Sequence, residues 1–438
     1  VVGNSTSVSV SGVGSGAALD GGGGSRIFHL SGGASLFLQN LELRNGMASE
    51  YAGGGGAVYS DGEEMALTAT SCNFTDNYSY RDGGAILSSA ALSVLEFNDC
   101  RFQGNTAEQY GGAIKASSAS AVTARDSLFL DNTADSSSTS SWFIDEGDGG
   151  AVHLSGGTPQ LEFHRCVLRS NKASHRGGGI FYDTDEEASA GGITVNATSF
   201  EANRAQWSGG GVLARGVAQV EVIDSSFTDN YVSSVANWTS GERNSGSGGG
   251  LYISGETSIS LRTSAFRGNG AQNGGAATFH GNHAVKVEEC LFEENLSFNV
   301  GGAMWVGTYG FSGRFEASIT DTIFSGNWCG GNGGGLSAET SGDGNVTLIR
   351  TSFYNNTVAY RADVPSPPGS YRGGGFYSSS AAAASGGVFT LLEDCFFEGN
   401  RAAAQGGALC VDGGSLSATG CDFSDNSAGR GGALGASG

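Results

Sequence analysis

Few side chains in this chain have the type and spacing that chemistry needs. The six histidines are scattered as His29, His153, His164, His175, His280 and His283. Only His280 and His283 stand close enough to share a metal, and with no third ligand in view they read as surface imidazoles. Two acidic runs, Asp183-Thr184-Asp185-Glu186-Glu187 and Asp145-Glu146-Gly147-Asp148, carry the oxygen donors that calcium takes. Asp183, Asp185, Glu186, Asp145 and Asp148 are therefore weak calcium candidates, although neither run has EF-hand spacing and solvated charge is the simpler reading. The glycine run Gly21–Gly24 and the later Gly triplets lack the following Lys-Ser/Thr of a phosphate loop. Only three lysines exist, Lys115, Lys172 and Lys286. No cofactor beyond weak calcium is expected, and the chain reads as no enzyme.

The elements that would position such residues follow from composition and repetition. Of 438 residues 76 are Gly and only 4 are Pro, which excludes collagen and Pro-rich linkers. Acidic residues outnumber basic ones 43 to 22, a net charge of −21 that repels phosphate backbones and anionic lipid. No nucleic-acid partner is expected. No run of 18 apolar residues exists, so no direct membrane insertion is expected either.

A pair of motifs recurs along the chain. Gly-Gly-Ala/Gly-apolar starts thirteen times, among them at Gly55, Gly83, Gly111, Gly301 and Gly431, at intervals of 25 to 40 residues. Between consecutive starts lies Phe-x-x-Asn, as in Phe74/Asn77, Phe102/Asn105, Phe324/Asn327 and Phe397/Asn400, with Leu168 in place of Phe ahead of Asn171. Positions five and seven before the Phe are apolar (Phe97/Leu95, Val287/Val285), with polar residues at the bend between, a period-two strand signal. The expected fold is all-β, a parallel β-helix (β-solenoid) of about 13–14 coils with three short strands per coil. Residues 1–52 form the opening coils and 53–438 the repeat coils of a single domain, expected to be a segment of a longer chain. Gly-Gly supplies positive φ at one corner. Asn is expected to stack as an amide ladder and Phe as an aromatic column. The residue two before Phe is Cys, Ser or Thr (Cys72, Cys100, Ser127, Cys166), which marks packing rather than redox chemistry. Stacked residues also lie too far apart for good disulfide geometry. Only Cys329 and Cys410 stand outside that column as bridge candidates.

The paired motifs resemble the polymorphic outer membrane protein repeat, carried on right-handed parallel β-helices, and the N-terminal stretch is similar to an opening coil of the wider pectin-lyase-like class. The resemblance implies a surface-exposed adhesin or passenger domain, extracellular or at the cell surface. The wider class also holds polysaccharide lyases, hydrolases and epimerases, so a carbohydrate-active enzyme with a divergent site is the alternative. This chain has no Asp-Asp doublet, Gly-His-Gly or Asp-Pro-His of that class.

The favoured reading is a non-catalytic structural (filament or wall) or adhesion module, with other extracellular chains or glycans as partners and self-assembly as an option. Sequons at Asn4, Asn73, Asn196, Asn237, Asn345 and Asn355 are the expected glycosylation sites; those at Asn77 and Asn295 fall on the ladder and should stay bare. Three units stretch the usual five or six residues between ladder Asn and Gly-Gly to 17 (Asn132 to Gly149), 18 (Asn230 to Gly248) and 17 (Asn356 to Gly373). These insertions carry Trp142, Phe143, Tyr231, Trp238, Tyr360 and Tyr371 as partner-binding candidates on one edge. Tyr59, Tyr252, Trp305 and Tyr377 recur after Gly-Gly as a second set. That stripe is exposed if the parity is right and buried if it slips by one at the bend.

Overall fold

The computed structural model describes residues 2–3, 6–14, 16–51, 53–89, 91–119, 121–136, 146–157, 159–184, 191–233, 246–281, 283–308, 314–359, 371–380 and 387–437. Every coil repeats one plan, seen in the coil that begins at Val94. A leading strand, Val94–Asn98, alternates buried Leu95 and Phe97 with outward Glu96 and Asn98. A bend at Asp99 leads into the Phe strand, Arg101–Gln103, then a two-residue Asn strand, Thr106–Ala107, and after Gly-Gly the strand Ile114–Ser117. Each strand pairs in parallel with its counterpart one coil on, Phe102 with Phe129 and Ile114 with Val152.

The chain divides into two compact units, Val1–Gln219 and Val220–Gly438. Both follow this plan, and the fold is a right-handed parallel β-helix of about 13 turns with four parallel sheets. The expectation of three strands per coil is corrected to four. The missed strand is only two residues long in most coils (Tyr78–Ser79, Trp328–Cys329), too short to show alternation in a sequence.

The interior columns form as their residue types require. Phe74 and Phe102 stack with centroids 4.6 Å apart and planes 2° from parallel, and Phe353 and Phe397 do so at 4.7 Å in the second unit. The Asn ladder is continuous within each unit. Asn105 donates through Nδ2 to Phe74 O (2.9 Å) and Asn132 Oδ1 (3.0 Å), and Asn132 Oδ1 also accepts the Asn105 backbone N–H at 3.1 Å. In the second unit Asn327 is bonded likewise to Phe292 O and Asn356. The buried amides are thus satisfied by one another. The column cysteines are free thiols, as are Cys329 and Cys410. Burial pushes Cys100 up to about 12 and Cys290 up to about 11, which makes them poor nucleophiles.

The corners explain the glycines. At Gly83 φ is +60°, a left-handed conformation. Its neighbour Gly84 answers a different demand: a Cβ there would lie 2.1 Å from Gly112 O of the next coil. The bends beside the Phe strand are also left-handed but mostly non-glycine, with Asp99, Asp126, Asp321 and Asp394 at φ 50–52°. Asp and Asn tolerate this region best among residues with a side chain.

Candidate functional site

The post-glycine sheet is the face on which the chain spends its variation. The three long insertions, residues 135–151, 233–250 and 359–375, all lie between an Asn strand and a post-glycine strand, so they leave at one margin of this sheet. The longer connections 184–191, 308–314 and 381–387 leave at its other margin, before the next leading strand. Trp142, Phe143, Trp238, Tyr360, Asp145, Asp185, Glu186, Asn4 and Asn237 lie outside the described residues. Tyr231 is half-buried at the start of one insertion. Tyr371 packs partly against Cys329, Val358 and Ala402 at the end of another.

The parity of the stripe is as first assigned. Val58 and Ser60 face the core while Tyr59 between them is half-exposed, and Ile114 and Ala116 flank outward Lys115 in the same way. Yet most outward residues of this sheet are buried. Tyr252, Trp305 and Tyr377 are 7, 6 and 5 % exposed, and Leu87, His153, Phe181 and Leu213 are buried too. Neither alternative holds as stated, because a third possibility applies: the side chains point outward and the corner beside them covers them. The backbone around Gly53 and Gly54 lies against Tyr59 and Leu87, and the corner residue Tyr110 covers His153. The residues ahead of Gly-Gly even pair from coil to coil, Gly54 with Asp82 and Arg176 with Ser208. Sequence periodicity reports which way a side chain points and carries no information on what lies above it.

In the first unit this face carries a concentrated charge cluster. Lys115 Nζ lies 3.4 Å from Asp82 and 4.1 Å from the centre of the Tyr110 ring. The His153 ring stacks on Phe181 of the following coil (4.8 Å) and lies between it and Tyr110 of the preceding coil, whose ring is 4.9 Å away and tilted by 41°. Arg176 and Arg215 lie over Phe181 at 5.3 and 5.6 Å, a cation–π arrangement. Each cation has its own carboxylate: Arg176 pairs with Asp148 at 3.2 Å and Arg215 with Asp183 at 2.5 Å. Asp148, 2 % exposed, also accepts from the Arg176 backbone N–H and lies 3.0 Å from His175 Nδ1. Two of the calcium candidates, Asp148 and Asp183, are thus neutralised by arginines. Among the described residues no group of three or more His, Cys, Asp or Glu could hold a metal. Burial raises the carboxyl pKa of Glu146, whose oxygens take the Gln109 amide at 3.2 Å, and it pushes Tyr110 up to about 12. His153 is held well below its ordinary pKa, first by burial and then by Lys115, Arg176 and Arg215.

Asp82, Tyr110, Arg176 and Arg215 were missed from the sequence. The first three share the position just before Gly-Gly, which varies in charge from coil to coil and so shows no motif. In the second unit the same face is quieter: Trp305 stacks on His280 at 5.6 Å, and Tyr377 donates to Asp412, which also pairs with Arg372.

The sequons sort by position. Asn73 and Asn355 are exposed, Asn196 and Asn345 half-buried. Asn77 and Asn295 are buried in the ladder.

Residues 25–245 match the family described as the right handed beta helix region. The chain belongs to that family. Two further segments, 321–339 and 394–412, match the Chlamydia polymorphic membrane protein repeat. Both repeat matches in this beta helix run from the left-handed bend (Asp321, Asp394) through Phe and Asn to the post-glycine strand, the part of the coil that holds the column, the ladder and the flanked face. A search among curated proteins found no match. Among the described residues no helix is long and apolar enough to cross a membrane.

Proposed function

We infer that this beta helix is a non-catalytic, surface-displayed adhesion module, extracellular or at the cell surface. Its contact face is the post-glycine sheet, and its partners are other extracellular chains or glycans. One observation carries the reading: past the opening coil, the long connections leave at the two margins of this one sheet, whereas the leading and Phe sheets meet at short bends. Insertions gathered on one side of a solenoid commonly form its binding face. The repeat matches support display at a surface. Use in a filament or wall would engage the same face laterally.

The test is excision. Replacing 137–145 and 234–245 by short Gly-Ser links should leave the far-UV spectrum and unfolding midpoint near those of the parent. Adhesion to a cell or glycan surface, or lateral assembly, should be lost. A trimmed protein that adheres or assembles as the parent does would remove the margins from the reading.

The buried Asp148–His175 pair at one margin favours a second reading, a carbohydrate-active enzyme, because a carboxylate-oriented imidazole is a usable general base. Uronic-acid lyase activity present in the parent and lost in His175→Gln would establish it in place of adhesion.

A further inference from the structure

We propose that the His153 stack is an acid-sensitive latch on the flanked face of the first unit, closed while the ring is neutral and released when it takes up a proton. The ring is 4 % exposed, and its Nδ1 is buried with no hydrogen-bond partner among the described residues. The groups around it come from each neighbouring element. The preceding coil presents Tyr110 and Lys115, the latter with Asp82. The corner of its own coil, whose Gly149 lies against His153, carries Glu146 and Asp148. The following coil presents Phe181, His175, Arg176 and Asp183, and the coil after that Arg215. Three cations thus act on the ring, and the carboxylates that could answer a fourth are committed: Asp82 to Lys115, Asp148 to Arg176 and His175, Asp183 to Arg215. Glu146 is itself pushed toward its neutral form by burial. A protonated His153 would have to leave the stack for water, and Tyr110 and Phe181 would lose the ring between them.

The direction follows from linkage. A histidine whose folded pKa is depressed contributes stability that is present above its unfolded pKa and is lost as pH falls below it. With an ordinary pKa of about 6.5 once released, the open-to-closed ratio should rise about 25-fold between pH 7 and pH 5. Release would uncover the Phe181 and Tyr110 rings, so acid surroundings would change what this face presents. The latch rests on the adhesion reading only for what release serves; its readout needs no partner and so fails or stands separately.

Hydrogen exchange on the full chain tests it. Protection factors, which divide out the intrinsic pH dependence, should fall about 25-fold for the amides of Val152–Ser155 and Ile180–Asp183 from pH 7 to pH 5. They should fall less than about threefold in His153→Phe, where a ring of similar shape cannot titrate. His153→Gln serves the same purpose if the Phe variant misfolds. Lys115→Met, which removes one of the three cations, should ease protonation of the closed ring and so make the fall no larger than in the parent, with its onset still near pH 6.5. Equal falls in parent and His153 variants, or a His153 resonance titrating near pH 6.5 with protection intact, would overturn the latch.

Discussion

The Phe-Asn corner and the outward face of the post-glycine sheet are both buried, and they are built on opposite principles. At the corner nearly every coil repeats the same residue and identical neighbours satisfy one another, ring on ring and amide on amide, with Leu168 standing in the column between Phe129 and Phe200. On the flanked face no two adjacent coils agree, and Lys115, His153, Phe181 and Leu213 follow one another along one row. Repetition gives the corner stability without information. Variation gives the face information, and stability there depends on pairs such as Arg176–Asp148 that occur once.

That contrast can be broken most sharply at the column. Phe324 is fully buried between Phe292 and Phe353, each 4.8 Å away, so Phe324→Ala should destabilise by about 3–5 kcal/mol in denaturant unfolding. A change within about half a kcal/mol would mean the column is not a core.

Acid should act nearly as strongly in the second unit. Both ring nitrogens of His283 are buried without a hydrogen-bond partner among the described residues, and burial lowers its pKa to about 4. The folded pKa is depressed, so stability is full above pH 6.5 and falls by about 3 kcal/mol as pH drops toward 4. Comparing unfolding free energies of parent and His283→Leu across that window should show a steeper loss in the parent, the difference between the two curves being the His283 share.

A ladder substitution ranks next. Asn327→Ala strands Phe292 O and the Asn295 amide group, and about 2–3 kcal/mol should be lost. Removing a cation from the face should do less, since Lys115 has one long ion pair and one ring contact: Lys115→Met should shift stability by about 1 kcal/mol. The smallest effect belongs to exposed pairs such as Arg350–Asp321, where Arg350→Ala should leave the unfolding midpoint unchanged. Glycopeptide mass spectrometry on secreted material should find Asn77 and Asn295 bare, because their amides are already bonded, and Asn73 and Asn355 available.

What could be read from the sequence divides along the same line. Phe102, Asn105 and Gly84 were legible because each recurs with its neighbours at fixed offsets, and recurrence is visible in one dimension. The two-residue strand at Thr106–Ala107 was not, because two residues show no period. The sequence leaves Tyr252 and Trp305 open between exposed and buried, because period-two alternation shows only direction. They lie on the outward row, yet the corner at Gly248 lies against Tyr252 and the His280 ring against Trp305. Arg176 and Asp148 were invisible as a pair, being 28 positions apart and matched by nothing repeated.

The Asn ladder has one further consequence, for how such a chain can change length. Each rung bonds to the coil before and the coil after through the same atoms, so any rung can stand in for any other. Deleting residues 78–105 would bring Asn77 into the place of Asn105, with Asn132 Oδ1 waiting for the same two donors. Losing one residue inside a strand would instead turn every later side chain in that strand to the wrong face. A gene for this protein can therefore gain or lose whole turns by misaligned recombination with little structural penalty. Single-residue slips meet the full resistance of the fold, so the number of turns is free to drift while the turn itself is fixed.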